Sequence, residues 1–340
     1  MKLKSKLKFN IKQKINSVIH GDALETLKQF PSECIDCVIF SPPYWQLRDY
    51  GFKGQWGLEK TPEEYLKNLW SLMDELKRIL KPQGTVWINL GDTYGTQSGT
   101  CKGKKYKSDT TIDRRENGKI LLKNKALHKC LLMLPHRFAI GCVERGWIVR
   151  NNIVWAKSNG MPESVQDRFS KKHEYIFLLA KNKKYYFDLN SIREPHHAES
   201  IERMKRIWNG HREDKSSYMN MDIKQMCHPL GKNPGDVTDF WSIPTVPGND
   251  KHYAKYNTRL ITKPILAGCP KNGIVLDPFC GSGTTGIKAI ELGRKFIGIE
   301  GKKAYCRIAE NNLKQQISEM TVNKRGDKIK FKIKNQNIYV

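Results

Sequence analysis

A doubly wound, mostly parallel α/β sheet is the fold class that this 340-residue sequence predicts, and three observations predict it. Short apolar runs bounded by Gly, Pro, Asn or Asp alternate with longer stretches of helical period. One stretch, Val275-Leu-Asp-Pro-Phe-Cys-Gly-Ser-Gly-Thr-Thr-Gly286, passes from strand to glycine turn to helix start. Hydrophobic residues make up 39% and aromatics 10%, enough to build a core and to exclude a wholly disordered chain.

Each element follows from its residues. Val18-Ile19-His20 reads as a strand ending at Gly21-Asp22, and Ala23–Gln29 as a helix stopped by Pro31. Asp36-Cys-Val-Ile-Phe40 has the continuous apolar character of a strand covered on both faces. Ser41-Pro-Pro-Tyr44 ends it, because two prolines cannot donate to a ladder. Thr61-Pro62-Glu63-Glu64 opens a helix with an N-cap, a proline at the first position and a reciprocal acid. Tyr65, Leu66, Leu69, Leu72, Met73, Leu76, Ile79 and Leu80 then recur at helical period.

Lys81-Pro-Gln-Gly84 should stop that helix, with Thr85–Leu90 as the next strand. Pro135–Arg145 reads as a helix ended by Gly146, followed by strands at Trp147–Ala156, His173–Ala180 and Lys184–Leu189. Periodicity weakens between 190 and 250 and then returns. Thr258–Ala267 is helical, Gly273–Asp277 a strand, Gly283–Leu292 a helix, Lys295–Ile299 a strand and Lys303–Ser318 a helix. Lys328-Ile-Lys-Phe-Lys-Ile-Lys334 alternates like an edge strand whose lysines discourage aggregation.

The chain carries 60 Lys+Arg against 34 Asp+Glu, a net +26 that points to a polyanion and first of all to nucleic acid. The surplus is concentrated: residues 1–14 hold +6, residues 97–129 hold +7 and residues 321–340 hold +5. The tails suit solvated charge runs as well as a binding role. The internal segment is rich in Gly, Ser and Thr and reads as a long loop able to close on a phosphate backbone. Its candidate contacts are Lys102, Lys104, Lys105, Lys107, Arg114 and Arg115. Apolar runs such as Leu131–Leu134 fall far short of the ~20 residues of a membrane span. Nine scattered Cys and no secretory signal lead us to expect a reducing, cytoplasmic setting.

Two motifs carry chemistry. Gly281, Gly283 and Gly286 spell G-x-G-x-x-G after a strand, and Glu300 follows Gly281 by 19 residues at the end of the next strand. That spacing suits an adenosine-containing cofactor, with nicotinamide and S-adenosylmethionine both open. Ser41-Pro42-Pro43-Tyr44 lies at the carboxyl end of a buried strand, where open α/β sheets bind ligands. Its prolines stiffen the loop and leave carbonyls and the Ser hydroxyl as in-plane partners for an exocyclic amine. Tyr44 adds a flat stacking surface.

Other residues read as structural. Cys34 and Cys37 form a single C-x-x-C without a second pair, so packing is expected and no metal site. A nucleophilic Cys would need a Pro-Cys turn, whereas Cys269-Pro270 has the reverse order and Cys280 sits inside the glycine loop. His196-His197 reads as a loop pair, and Trp155, Trp208 and Trp241 as core more than stacking residues. His252 remains open between structural and cofactor-side roles.

The two motifs in this order resemble the amino-methylating DNA methyltransferases, in the arrangement where the catalytic tetrapeptide precedes the cofactor motif. The resemblance covers roughly residues 16–315 and includes the segments around His20–Asp22, Asp49–Leu58, Asn89–Tyr94 and Gly146–Trp155. It continues through Met161–Arg168, His173-Glu-Tyr-Ile-Phe and His252-Tyr-Ala-Lys-Tyr. It implies a Rossmann-like class I methyltransferase using S-adenosyl-L-methionine on double-stranded DNA. A companion restriction endonuclease and a monomer or homodimer fit the same resemblance. Ser in the first tetrapeptide position is more usual for cytosine N4, and Asp or Asn for adenine N6.

By the same resemblance Tyr44 stacks on a flipped base, while Ser41 and the Pro42 carbonyl hold its amine, with Pro43 stiffening the turn. Transfer is then direct, with positioning and dipoles supplying catalysis. Asp277, Phe279, Cys280, Gly281, Ser282, Gly283 and Thr284 hold the methionine part, Glu300 the ribose hydroxyls, and Asp22 lies near the adenine amine. The implied organisation is a catalytic half at 16–189, a target-recognition insert at 190–250 (with the basic loop 97–129 as its rival) and a cofactor half at 251–318, with basic tails at 1–15 and 319–340. Adenine-N6 and RNA amine methylation, a nicotinamide oxidoreductase and a non-catalytic DNA-binding module are the competing readings.

Overall fold

The computed structural model describes residues 9–95, 128–196, 239–246 and 257–325, with isolated positions 198, 199, 202, 228 and 230–232 between them. Lys102, Lys104, Lys105, Lys107, Arg114, Arg115, His197, Trp208, His252 and the Lys328–Lys334 segment lie outside the described residues.

Among the described residues eight strands form one sheet: β1 Ser17–His20, β2 Ile35–Phe40, β3 Leu80–Leu90, β4 Ile148–Ala156, β5 His173–Ala180, β6 Phe240–Ser242, β7 Ile274–Asp277 and β8 Lys295–Glu300. Their order is β1-β8-β7-β2-β3-β5-β4-β6. Only β5 runs against the others, being antiparallel to both β3 and β4. The helices are α1 Ala23–Leu27, α2 Pro62–Ile79, α3 Leu134–Glu144, α4 Arg259–Gly268, α5 Thr284–Glu291 and α6 Lys303–Arg325.

Period-two alternation in the strands sorts the core onto two faces. Val38, Phe40, Val86 and Ile88 pack with Leu66, Leu69 and Phe138 beneath α1–α3. Their neighbours Cys37, Ile39 and Trp87 pack with Ile261, Ile265, Ala289 and Leu313 beneath α4–α6. The result is a three-layer sandwich, the doubly wound arrangement expected from the alternating elements. At the start of α2, Thr61 Oγ1 accepts the Glu64 N–H at 3.1 Å and Glu64 reaches back to the Lys60 N–H at 2.9 Å. No helix among the described residues is long and apolar enough to cross a membrane.

Three expectations are corrected. Lys81–Gly84 does not separate helix from strand, because β3 begins at Leu80 and the register steps from Ile35↔Leu80 to Cys37↔Thr85 across a bulge. Lys184–Leu189 is not a strand: it enters no ladder, and Leu189 already opens the short 3-10 helix Leu189–Ile192. The segment is held instead by single bonds, from the Tyr186 N–H to Gln83 and from the Asp188 N–H to Ala267. The last helix continues past Ser318 to Arg325, into the expected tail. Within the weakly periodic stretch, Phe240–Ser242 joins the sheet beside β4.

Candidate active site

Because β1, β2, β3, β7 and β8 run in one direction, their carboxyl ends share one edge of the sheet. The reversed β5 starts at that edge, with His173 paired to Ala156. A cleft of about 830 Å3 opens there. Ser41, Pro42, Pro43 and Tyr44 line it together with Asp22, Phe279, Cys280, Gly281, Ser282, Thr284 and Glu300. The two sequence motifs, more than 230 residues apart, therefore face a single cavity.

The tetrapeptide is held from several directions. Tyr44 Oη donates to Glu174 Oε2 at 2.6 Å. Asn89 Nδ2 donates to Tyr44 Oη and to Glu174 Oε2, both at 2.8 Å. Ser41 Oγ donates to Tyr44 Oη at 3.3 Å. Lys157 completes the cluster with an ion pair to Glu174 Oε1. Burial, then the neighbouring Glu174 carboxylate, pushes the Tyr44 phenol well above its ordinary value, so it stays protonated as a donor. Tyr65 Oη donates to the Pro43 carbonyl at 3.0 Å, fixing the turn from below. A ring restrained at its hydroxyl and a proline-stiffened turn form a preorganised surface.

On the other motif, Gly281 and Gly283 adopt φ of 52° and 84°, left-handed values that favour glycine. A Cβ on Gly281 would meet nothing within 4 Å, so the backbone is open to close approach. Asp277 shapes this turn from inside: Oδ1 accepts the Phe279 N–H at 3.0 Å and Oδ2 accepts the Thr285 hydroxyl at 2.6 Å. It is buried and, like Gly283, does not line the cleft. Glu300 does, while accepting the Gly281 N–H at 2.9 Å and the Lys302 N–H at 2.7 Å. Burial raises its carboxyl above the ordinary range, and the backbone N–H bonds oppose that rise.

Asp22 caps α1 through the Glu25 N–H at 2.9 Å and accepts the Trp56 indole N–H at 2.8 Å. Trp56 in turn meets Phe279 edge-on at 5.3 Å. Glycine backbone, a buried carboxylate and an aromatic wall suit a cofactor with a ribose and a planar base.

Sequence reasoning assigned no role to Asn89, Lys157, Glu174 or Trp56. Asn89, Glu174 and Trp56 lie in segments that carry the family resemblance, which was the available signal; nothing in the sequence singles out Lys157. Trp155 is buried, donates to the Ile243 carbonyl at 2.7 Å and still lines the cleft. Burial pushes the Cys280 thiol well up, which suits packing and not nucleophilic attack. Cys37 is buried, and no group of three or more His, Cys, Asp or Glu able to hold a metal ion occurs among the described residues.

The DNA methylase family profile N6_N4_Mtase matches residues 35–311. The type II methyltransferase M.SmaI of Serratia marcescens is 37% identical over 296 residues, covering 87% of this chain and 90% of its own. M.Cfr9I of Citrobacter freundii is 34% identical, with 87% of each chain covered. Among solved structures, the PvuII DNA methyltransferase (cytosine-N4-specific) superposes with a TM-score of 0.57 at 18% identity, covering 89% of this chain and 92% of that one. A Thermus thermophilus protein complexed with S-adenosyl-L-methionine gives 0.53 at 22% identity, with 88% and 95% covered. The chain belongs to the N6/N4 DNA methylase family and is an S-adenosylmethionine-dependent DNA methyltransferase.

Proposed function

We propose that the enzyme methylates the exocyclic N4 amine of a cytosine flipped out of double-stranded DNA, as the modification partner of a restriction endonuclease in the cytoplasm. The observation that carries this reading is Ser41 at the head of the tetrapeptide, lining the cleft at the end of β2. Ser-headed tetrapeptides in this family favour cytosine. Ser41 Oγ, whose hydroxyl donates its hydrogen bond to Tyr44 Oη, retains lone pairs to accept one amine N–H, and the Pro42 carbonyl takes the other.

Held that way, the amine nitrogen keeps its lone pair directed out of the hydrogen-bonded plane, and Tyr44 supports the base from its face. S-adenosylmethionine supplies a methyl group on a positively charged sulfur. The turn Phe279–Thr284 holds its methionine part, with Asp277 bracing that turn from within. Glu300 accepts the ribose hydroxyls and Asp22 lies toward the adenine. The basic loop 97–129 grips phosphates and the stretch 190–250 reads the bases, so affinity and specificity reside in different segments.

Nucleoside digestion and mass spectrometry of DNA treated with the enzyme test the reading. N4-methylcytosine is expected, and N6-methyladenine in its place would overturn it. Long-read sequencing of DNA from expressing cells maps the methylated site.

A further inference from the structure

Phe169 is 97% exposed and Met161 82%, the highest exposures of any large apolar side chains among the described residues. Both lie on the loop 157–172 that joins β4 to β5. An isolated exposed apolar residue is ordinary on a mobile surface. This loop is anchored. Arg168 donates to Glu163 at 2.5 Å and to the Phe169 carbonyl at 3.1 Å, and its guanidinium lies 3.8 Å from the Tyr94 ring centroid. The Lys171 ammonium donates to the Asp92 carbonyl. The Lys157 N–H donates to the Lys172 carbonyl at 2.8 Å, closing the base of the loop.

These anchors hold the backbone on either side of Phe169 to the segment that leads out of the base-side network. Asp92 and Tyr94 directly follow β3, whose Asn89 binds Tyr44. Lys157 and Glu174, at the two feet of the loop, line the cleft themselves. The loop carries four Lys+Arg and two acids, so its surroundings favour phosphate. Extruding a base leaves a gap in the stack that closes again unless something apolar and flat fills it.

We propose that the 157–172 loop enters the duplex beside the target base and that Phe169 occupies the vacated stacking position. The inference rests on methylation of an extruded base in DNA and holds whether that base is cytosine or adenine. Phe169 is thus a positioning residue, since it holds the base out and does not touch the reacting atoms.

The test compares Phe169→Ala, Phe169→Leu and the unmodified enzyme on two oligonucleotide duplexes carrying the mapped site. One has the target base paired; the other has it opposite an abasic position, which lowers the energy of extrusion. Phe169→Ala is expected to slow transfer to the paired duplex about tenfold or more, and to stay within about twofold of the unmodified enzyme on the abasic duplex. Phe169→Leu, still an apolar wedge, should retain most of the rate on both. Affinity for S-adenosylmethionine and Tm should not change.

Equal loss on both duplexes would overturn the proposal. So would a lowered Tm, which means the ring packs on its own chain, or a dimer that becomes a monomer in sedimentation, which means it packs on a second copy. N6-methyladenine formed by the unmodified enzyme overturns the cytosine reading alone and leaves the paired-to-abasic comparison intact.

Discussion

Tyr44 and Glu174 stand 130 residues apart in the chain and share a 2.6 Å hydrogen bond at the carboxyl edge of the sheet. The reversal of β5 makes this contact, because it brings the start of that strand to the edge where β2 and β3 end. Glu174 collects donors from Tyr44, Asn89 and Lys157, so a buried carboxylate is both neutralised and fully bonded. Given the role proposed for Tyr44, Glu174 is a positioning residue that acts through the orientation of that ring.

Glu174→Gln should therefore lower kcat by about tenfold to hundredfold, the range for losing a hydrogen bond to a buried charged group. S-adenosylmethionine affinity should stay constant, since neither oxygen reaches the glycine turn. Steady-state kinetics with calorimetric cofactor titration checks both halves. Tyr44→Phe, which deletes one hydroxyl and leaves the ring, should lose less than Glu174→Gln.

Tyr44→Ala should lose most activity while binding S-adenosylmethionine normally, because the ring lines the base side of the cleft. Unchanged turnover would remove Tyr44 from the site.

Gly91→Ala probes the same ring from its other side. A Cβ there would stand 2.6 Å from Tyr44 Cε2, closer than real carbon contacts allow. The ring must move, and we expect slower transfer with a Tm loss of only a few degrees, read by kinetics and thermal melting.

Glu300 sets a pH dependence. Its carboxyl is raised above the ordinary 4.5 by burial. In the role proposed for it the ionised form accepts the ribose hydroxyls, so cofactor affinity should fall on acidification, beginning at a pH above that value. Folding stability moves the other way: a raised carboxyl contributes stability fully below its unfolded value, and that contribution is lost as pH rises through the folded one. Glu300→Gln should flatten the affinity profile, as followed by titration of S-adenosylmethionine across the acidic range.

Neutralising Lys102, Lys104, Lys105 and Lys107 should weaken DNA binding and leave the methylated site unchanged. If all four contact phosphates, the slope of log affinity against log salt falls by about 3 to 4. An unaltered slope would assign the phosphate grip to other segments.

Much of this protein is determined by sequence alone. Helical period, the Thr61 cap and continuous apolar runs place most elements, because such patterns report whether each residue faces core or solvent. Both chemical motifs are contiguous, so their residues are legible without a fold. The resemblance to amino-methyltransferases adds their order and roles.

Tertiary structure decides what depends on pairing between distant segments. Lys184–Leu189 has strand character, but it meets β3 only through the Tyr186 N–H at Gln83 and turns at once into a 3-10 helix. The short Phe240–Ser242 strand is set by its pairing with β4 and shows no period of its own. Asn89, Lys157 and Glu174 lie on three different strands or strand ends, and only the sheet order with one reversed strand converges them on Tyr44. Local sequence encodes burial along each strand; which side chains meet across the edge is set by register and direction, and those exist only once the sheet has formed.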